Sequence, residues 1–265
     1  PALSATARRA AGAAPASEVV VPGALAGNLP VSPGSLVGRA VQLEQVERLL
    51  SQAGLVTLTG PAGVGKTRLA LEVARRAGVR GGAWLARLET ATDAAGVWHG
   101  IGDALGLDAP TRVTVTGRLR GDELVLVLDS CEHVVDTVAE VVGALLAVAP
   151  GLRVLATSQL SLRVGGEQVL DLEPLPLADS VALFGERATA QRPYATDDET
   201  RRTVEEVCRA LDGLPLAIEL AAARTRVLPV HEIARRLEKL VESGQACRSR
   251  PATTGTDPIM VKRLD

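Results

Sequence analysis

Short apolar runs alternate with amphipathic stretches through the first two thirds of the chain. Aliphatic and β-branched residues dominate five runs of strand length, at positions 55–59, 83–88, 124–128, 153–157 and 168–172. Apolar residues recur at helical spacing between these runs, at positions 41–50, 66–77, 94–105 and 134–148. This alternation predicts an α/β fold, in which a parallel sheet with right-handed crossovers carries helices on both faces.

The pattern changes after Pro174 and Pro176. The remaining apolar residues recur only at helical spacing, at positions 179–190, 196–211, 216–226 and 230–242. The sequence therefore predicts an α/β domain at 30–172, followed by an all-helical subdomain at 173–243. In the first helix of the chain, the spacing predicts four residues that face the core, namely Val41, Val46, Leu49 and Leu50.

The two ends of the chain differ in composition from the rest. Residues 1–29 are rich in Ala, Pro and Gly, which indicates a linker or tail. Residues 244–265 are rich in Ser, Arg, Thr and Pro and show no helical spacing. We expect this last segment to be disordered, because such a composition cannot bury a core.

A glycine-rich motif follows the first predicted strand. It fits the pattern G-x-x-x-x-G-K-[ST] of a phosphate-binding loop, and its residues are Gly60, Pro61, Ala62, Gly63, Val64, Gly65, Lys66 and Thr67. Glycines allow backbone N–H groups to turn toward an anion, and the start of the next helix adds a favourable dipole. The lysine reaches the β- and γ-phosphates, and the hydroxyl is a magnesium ligand. The motif predicts a P-loop NTPase that binds ATP or ADP with Mg²⁺.

A carboxylate closes the central apolar run about sixty residues later. Asp129 has the position of a Walker B aspartate, which would hold Mg²⁺ together with Thr67 at the end of the strand. Glu132 follows closely and has two interpretations. It is either the general base that polarises an attacking water or a capping or surface carboxylate at the start of the next helix. His133 is expected to be structural.

Composition limits the partners of the chain. The formal charge of the 265 residues is −2, which argues against a protein whose whole surface binds nucleic acid. No apolar run approaches the roughly 18 residues that span a bilayer, so we expect no membrane partner. The cysteines lie far apart and match neither a metal-site spacing nor an even disulfide set, which favours a reducing cytoplasm. They are Cys131, Cys208 and Cys247.

Several segments together resemble the NB-ARC-type core of STAND ATPases, and among these the actinobacterial AfsR/SARP and large LuxR-type transcriptional regulators. The resemblance covers about residues 28–240. Besides the P-loop, it rests on Leu36-Val37-Gly38-Arg39, Leu126-Val127-Leu128-Asp129-Ser130-Cys131-Glu132-His133, Leu155-Ala156-Thr157-Ser158-Gln159 and Gly213-Leu214-Pro215-Leu216-Ala217-Ile218-Glu219-Leu220. Each segment is short, but their order and spacing are specific in combination.

The resemblance implies roles for the matching positions. Val37, Gly38 and Arg39 would approach the adenine and ribose, and Arg68 would join the P-loop at the nucleotide. Pro215 would lie against the nucleotide from the helical subdomain. The residues alone also allow simpler interpretations: a loop that leads into a helix at 37–39, and a turn between helices with proline at the first helical position.

Two positions depart from the family pattern. The family usually carries arginine at the position of Gln159, where it contacts the γ-phosphate, and Asn or Asp at the position of Ser130. Glutamine can donate a hydrogen bond to a phosphate but cannot neutralise its charge. Arg163 is near in sequence, and the sequence does not show whether it substitutes. We therefore expect nucleotide binding with slow or absent hydrolysis, with Lys66, Asp129 and Glu132 as the catalytic candidates.

The family also implies a switch. ADP would hold the two subdomains closed, and exchange to ATP would favour an open, self-associating state that regulates transcription. The winged-helix domain expected after the helical subdomain is absent from this sequence, as is a helix-turn-helix, so DNA would be contacted only indirectly. The alternatives are an ADP-locked scaffold or interaction module, a plain turnover ATPase, and a kinase for a small substrate.

Overall fold

The computed structural model describes residues 26–31, 34–191 and 197–242. Five strands and nine helices lie in these residues. In chain order they are α1 (Ala40–Gln52), β1 (Leu55–Thr59), α2 (Lys66–Arg76), β2 (Ala83–Arg87), α3 (Ala94–Ala104), α4 (Arg112–Leu119), β3 (Leu124–Asp129), α5 (Val135–Val148), β4 (Leu152–Thr157), β5 (Gln168–Asp171), α6 (Leu177–Gln191), α7 (Asp198–Ala210), α8 (Pro215–Arg224) and α9 (Val230–Glu242).

All five strands form one parallel sheet in the order β2-β3-β4-β1-β5. Every residue of β1 and β3 is buried, because helices cover both faces of the sheet. One core lies between the sheet and α3, α4 and α5, and a second lies between the sheet and α1 and α2. The predicted parallel α/β architecture is confirmed.

The last four helices enclose a third core. Phe184, Ile218 and Ala222 are completely buried there, and α6 packs against α7 and α8 while α7 packs against α9. The all-helical arrangement after the sheet agrees with the prediction. The domain boundaries at 172 and 243 stay predictions. Most of the predicted tail at 1–29 and the whole disordered segment predicted at 244–265 lie outside the described residues.

Two sequence predictions about helices differ from the structure. Helix α4 was not foreseen, although a capping box between Thr111 and Thr114 begins it. Val41 was expected to face the core, but its side chain is 73% exposed and Leu43 is buried instead. Val41 lies in the first turn of α1, and the way in which this helix packs on the sheet determines which residues of that turn are buried.

The β2 edge of the sheet carries a short additional segment. Gly27 forms a parallel bridge with Ala83. The side-chain amide of Asn28 then donates to the Leu85 carbonyl at 3.0 Å and accepts from the Leu85 N–H at 2.6 Å. One side chain thus makes the two bonds that a neighbouring strand would make. No helix among the described residues is long and apolar enough to cross a membrane.

Candidate functional site

The glycine-rich loop joins the buried strand β1 to helix α2 at the carboxyl edge of the sheet. Gly60, Gly63 and Gly65 have positive φ angles of 131°, 77° and 100°. A Cβ atom at Gly60 would lie 2.5 Å from the Leu172 carbonyl oxygen, so this position requires glycine. Gly65 is the N-cap residue of α2, and α2 begins at Lys66. The loop therefore ends at a helix N-terminus, which favours an anion.

The Lys66 ammonium lies within the loop. Its Nζ atom donates to the Gly60 carbonyl at 2.8 Å and to the Pro61 carbonyl at 3.0 Å. Burial lowers the pKa of Lys66, and the carboxylates of Glu132, Asp129 and Asp171 oppose this shift. Because the charges of three carboxylates act on this ammonium, a phosphate that enters here meets a lysine close to several acidic groups.

Two hydroxyl groups converge on the Asp129 carboxylate. Thr67 Oγ1 and Thr157 Oγ1 each donate to Asp129 Oδ1 at 2.6 Å. The Ser130 N–H in turn donates to Thr157 Oγ1 at 3.0 Å. The topology brings these groups together, because β4, which carries Thr157, lies between β3 and β1. Thr67 and Asp129 supply the oxygen ligands that Mg²⁺ prefers, so the donor set fits this ion.

Glu132 lies beside this cluster and is exposed. Among the carboxylates that raise the pKa of Lys66, Glu132 has the largest effect. Val134, and not Glu132, is the N-cap residue of α5, and it makes no side-chain capping bond. The role of Glu132 as general base stays a prediction. The neighbouring His133 places Nε2 2.9 Å from the Ala91 carbonyl oxygen, which fits the structural role expected for it.

Gln159 follows β4 two residues after Thr157 and is half-buried. Arg163, the candidate substitute for its missing charge, is exposed and lies in a loop with φ of 60°. The N–H groups of Leu162 and Arg163 both donate to the Glu167 carboxylate, which fixes the conformation of this loop. The structure thus shows no arginine from this loop bonded to the P-loop within the described residues.

The segment at 37–39 contacts both the P-loop and the helical subdomain. Arg39 is only 4% exposed, and its Nη2 atom donates to the Val64 carbonyl at 3.0 Å and to the Glu173 carbonyl at 2.8 Å. Burial lowers the pKa of Arg39, and the nearby Asp179 opposes this shift. Val37 packs against the helical core. Arg39 therefore holds the backbone of the P-loop, a contact that the sequence did not predict.

The N-terminus of α8 rests on the P-loop. Pro215 is its first residue, and the Leu216 N–H donates to the Gly63 carbonyl at 3.1 Å. One turn later Glu219 forms an ion pair with Arg68 at 2.8 Å. The sequence predicts that a helix starts at Pro215, and α8 begins there. The structure also shows that the next residue, Leu216, bonds to the P-loop. Arg68, predicted to join the nucleotide site, directs one guanidinium nitrogen to Glu219.

Sequence comparison finds related proteins in mycobacteria. The chain is 42% identical over 207 residues to an uncharacterised protein of Mycobacterium tuberculosis. The aligned region covers 75% of the chain and 53% of that protein. It is also 40% identical over 192 residues to a protein of the same organism that is provisionally assigned as an HTH-type transcriptional regulator. This aligned region covers 70% of the chain and 22% of that protein. The chain therefore spans about half of the first relative and less of the second. No protein-family profile matches the chain.

Solved structures with a similar fold include ATPases. The Walker-type ATPase of Pyrococcus abyssi aligns with a TM-score of 0.60 at 14% identity, over 78% of this chain and 73% of that one. A STAND protein with a tetratricopeptide repeat sensor from Pyrococcus horikoshii aligns at 0.50 and 18%, over 79% of this chain and 33% of that one. The FIGL-1 AAA domain in complex with ADP aligns at 0.51 and 14%, over 89% of both chains. At such identities the likeness shows the fold alone, and that fold is the one of the P-loop nucleoside triphosphatases.

Proposed function

We propose that this chain is a nucleotide-dependent switch module of the STAND type, belonging to a bacterial transcriptional regulator. It would bind ATP or ADP with Mg²⁺ and hydrolyse ATP slowly or not at all. The observation that carries the proposal is the position of Lys66 and Thr67 at the N-terminus of α2, bonded through Thr67 to Asp129 at the end of β3 and directly beside the N-terminus of α8. A nucleotide bound there would contact both the sheet and the helical subdomain.

Each part of the site has a role in this proposal. The loop from Gly60 to Thr67 would surround the phosphates with backbone N–H groups, and Lys66 would exchange its two loop carbonyls for phosphate oxygens. Thr67 and Asp129 would hold Mg²⁺, which neutralises phosphate charge when it is bound. Glu132 would then be the acidic group that faces the γ-phosphate.

The contact between α8 and the P-loop gives the switch a physical basis. Leu216 and Gly63 hold the two parts together with a backbone hydrogen bond. A nucleotide shifts the balance between closed and open arrangements only as far as it binds one of them more tightly. In the proposed scheme ADP favours the closed arrangement, and ATP favours an open one that self-associates. DNA would be engaged by an effector domain elsewhere in the regulator.

Gln159 favours a second candidate, an ADP-locked scaffold. A neutral side chain at the position of the family's arginine weakens discrimination between ATP and ADP, because no second cation faces the γ-phosphate from this loop. A plain turnover ATPase is less well supported for the same reason. Turnover in the range of about 1–100 s⁻¹, as for kinases, would favour that alternative.

Identification of the bound nucleotide tests the proposal. The purified protein is denatured, and any released nucleotide is identified and counted by chromatography. We expect stoichiometric ADP from the wild type. We also expect little from Lys66→Ala, because the loss of a charge-assisted phosphate contact weakens binding at least about tenfold. Lys239→Ala is the matched control, since Lys239 is exposed on α9.

Three outcomes are informative. ADP that is lost only in Lys66→Ala supports the switch and leads to measurements of exchange and assembly. ADP that neither exchanges with added ATP nor turns over supports the scaffold instead. A wild-type protein that is empty and binds neither nucleotide with Mg²⁺ refutes both candidates.

A further inference from the structure

Glu219 is the centre of an ionic cluster that joins the two parts of the molecule. Its Oε1 atom accepts from Arg68 Nη1 on α2 at 2.8 Å and from Arg187 Nε on α6 at 2.9 Å. Glu219 itself lies on α8, so one carboxylate oxygen connects three helices. Two of these helices belong to the helical subdomain, and the third begins at the P-loop.

The same two arginines also hold the segment that precedes α1. Arg68 Nη2 donates to the Gly34 carbonyl at 3.1 Å and to the Ser35 carbonyl at 2.8 Å, and Arg187 Nη2 donates to the Ser35 carbonyl at 3.1 Å. Glu186 completes the cluster through Arg187 and through Ser35 Oγ. The cluster thus fixes α2, α6, α8 and residues 34–35 relative to one another.

The cluster is shielded enough to be stronger than an ordinary surface ion pair. The side chains of Arg187, Arg68 and Glu219 are 18%, 27% and 30% exposed. Partial burial reduces solvent screening, and the carboxylate separates two guanidinium groups that would otherwise repel each other. Loss of the Glu219 charge therefore removes two attractions and leaves one repulsion.

We propose that Glu219 is a positioning residue that latches the helical subdomain onto the P-loop. Arg68 directly follows Thr67 in the first turn of α2, so a change at the phosphate and magnesium site reaches the latch through one residue. Separation of α8 from the P-loop must break the Leu216–Gly63 bond and the Arg68–Glu219 contact together, whereas the Arg187–Glu219 contact lies within the helical subdomain and moves with it. The link to nucleotide state rests on the function proposed above, whereas the latch itself does not.

A distance measurement without nucleotide tests the latch. Spin labels are placed on cysteines at Val113 on α4 and Val227 beyond α8, which are 79% and 66% exposed. Cys247 is replaced by serine in this background, and the buried Cys131 and Cys208 are left in place. We expect a narrow distance distribution in the otherwise unchanged protein and a broad or bimodal one after Glu219→Gln. An unchanged distribution in Glu219→Gln overturns the latch.

Glu205→Gln is the matched control. Glu205 pairs with Arg209 at 3.0 Å within α7, so the same substitution breaks an ion pair that does not connect two parts of the molecule. We expect this variant to keep the narrow distribution. If Glu205→Gln broadens it equally, general loosening of the helical subdomain explains the result and the latch is rejected.

Nucleotide affinity tests the coupling between the latch and the site. Dissociation constants for MgADP are measured for Arg68→Gln, Glu219→Gln and the double variant. We expect each single change to weaken binding about tenfold and the double change to add little, which is the signature of a shared interaction. Additive losses would show that the pair does not transmit binding energy. A wild type that binds no nucleotide refutes the proposed function, while the distance measurement still decides on the latch.

Discussion

Asp129 illustrates at the scale of single residues how neighbouring groups can orient a carboxylate that we propose as a metal ligand. Both hydroxyl bonds go to Oδ1, and neither hydroxyl occupies Oδ2. Ser130, which has a φ of 64°, donates its N–H to Thr157 and orients that hydroxyl. Groups that orient a ligand commonly matter nearly as much as the ligand itself. We therefore expect Thr157 to matter for magnesium binding about as much as Thr67 does.

Replacement of Thr157 by valine tests this orienting role. We expect Thr157→Val to weaken magnesium-dependent nucleotide binding about 10- to 100-fold, the usual range for such outer partners, because Asp129 loses one of its two donors. Binding measured in excess chelator should change little. Thr116→Val in α4, whose hydroxyl donates to carbonyls of its own helix, serves as the control. Equal losses with and without magnesium would show that Thr157 supports the fold rather than the metal site.

Replacement of Gln159 by arginine tests the missing charge. We expect Gln159→Arg to raise the ratio of MgATP to MgADP affinity about tenfold, because a guanidinium forms a stronger bond to a γ-phosphate than an amide does. Gln168→Arg adds the same charge at an exposed position of β5 and should leave the ratio unchanged. Equal gains for both nucleotides, or for both variants, would mean that only overall charge matters.

The sequence predicts some residues of the site better than others. The P-loop and Asp129 are recognisable because their chemistry requires fixed residue types at fixed spacing or at the end of a strand. Thr157 and Glu219 lie in segments that resemble the family, but no chemical requirement of the phosphate site singles them out. Their importance arises from the order of strands in the sheet and from the docking of α8, both of which depend on contacts between distant parts of the chain.

At the scale of secondary-structure elements, the turn between α7 and α8 sets the position of the helix that rests on the P-loop. Gly213 has a φ of 66°, and a Cβ atom there would lie 2.4 Å from the Leu175 carbonyl oxygen. The Leu175 N–H also donates to the Gly213 carbonyl at 2.9 Å. The turn is therefore held tightly against the connection that leads into α6, and it admits no side chain.

A pair of glycine substitutions measures this constraint. We expect Gly213→Ala to lower the free energy of unfolding by about 1–3 kcal/mol, because the alanine is strained in both backbone angle and space. Gly143→Ala lies in the interior of α5 with nothing within 4 Å of the new methyl group. It should raise the same quantity by about 0.5–1 kcal/mol. The free energy of unfolding of both variants is measured by urea unfolding. A Gly213→Ala protein as stable as the wild type would contradict the expectation.

Most elements follow from the sequence because burial and periodicity agree in them. Helix α4 escapes this reasoning, since its residues Arg112–Leu119 include two valines, two threonines and a glycine, all of which disfavour helix formation. Its capping box and the burial of Val115 and Leu119 outweigh these preferences. Tertiary packing thus decides the structure where local preferences are weak or contrary.

At the scale of the whole molecule, Arg39 joins parts that have separate cores. Its guanidinium contacts the P-loop at Val64 and the connecting segment at Glu173, and it lies near Asp179 of α6. The strand order and these long-range contacts could not be predicted from one sequence, because they require knowledge of which distant segments meet. The α/β and all-helical parts themselves were predictable, because each has its own hydrophobic period.

Removal of the Arg39 charge tests this joint. We expect Arg39→Met to lower the free energy of unfolding by about 2–4 kcal/mol, because two carbonyls and one carboxylate lose a buried partner. Hydrogen exchange should become faster in both the P-loop and α6. Arg48→Met, at an exposed position of the same helix α1, is the control. Faster exchange confined to one of the two regions would show that Arg39 does not join them.

Asn28 has a consequence for the behaviour of the protein in concentrated solution. An uncovered β2 would present a row of free N–H and C=O groups, which is a template for strand pairing between molecules. The amide of Asn28 and the bridge at Gly27 occupy the first of these groups. A shortened chain that starts after Pro30 would expose this edge of the sheet, and we expect it to aggregate more readily than the longer chain.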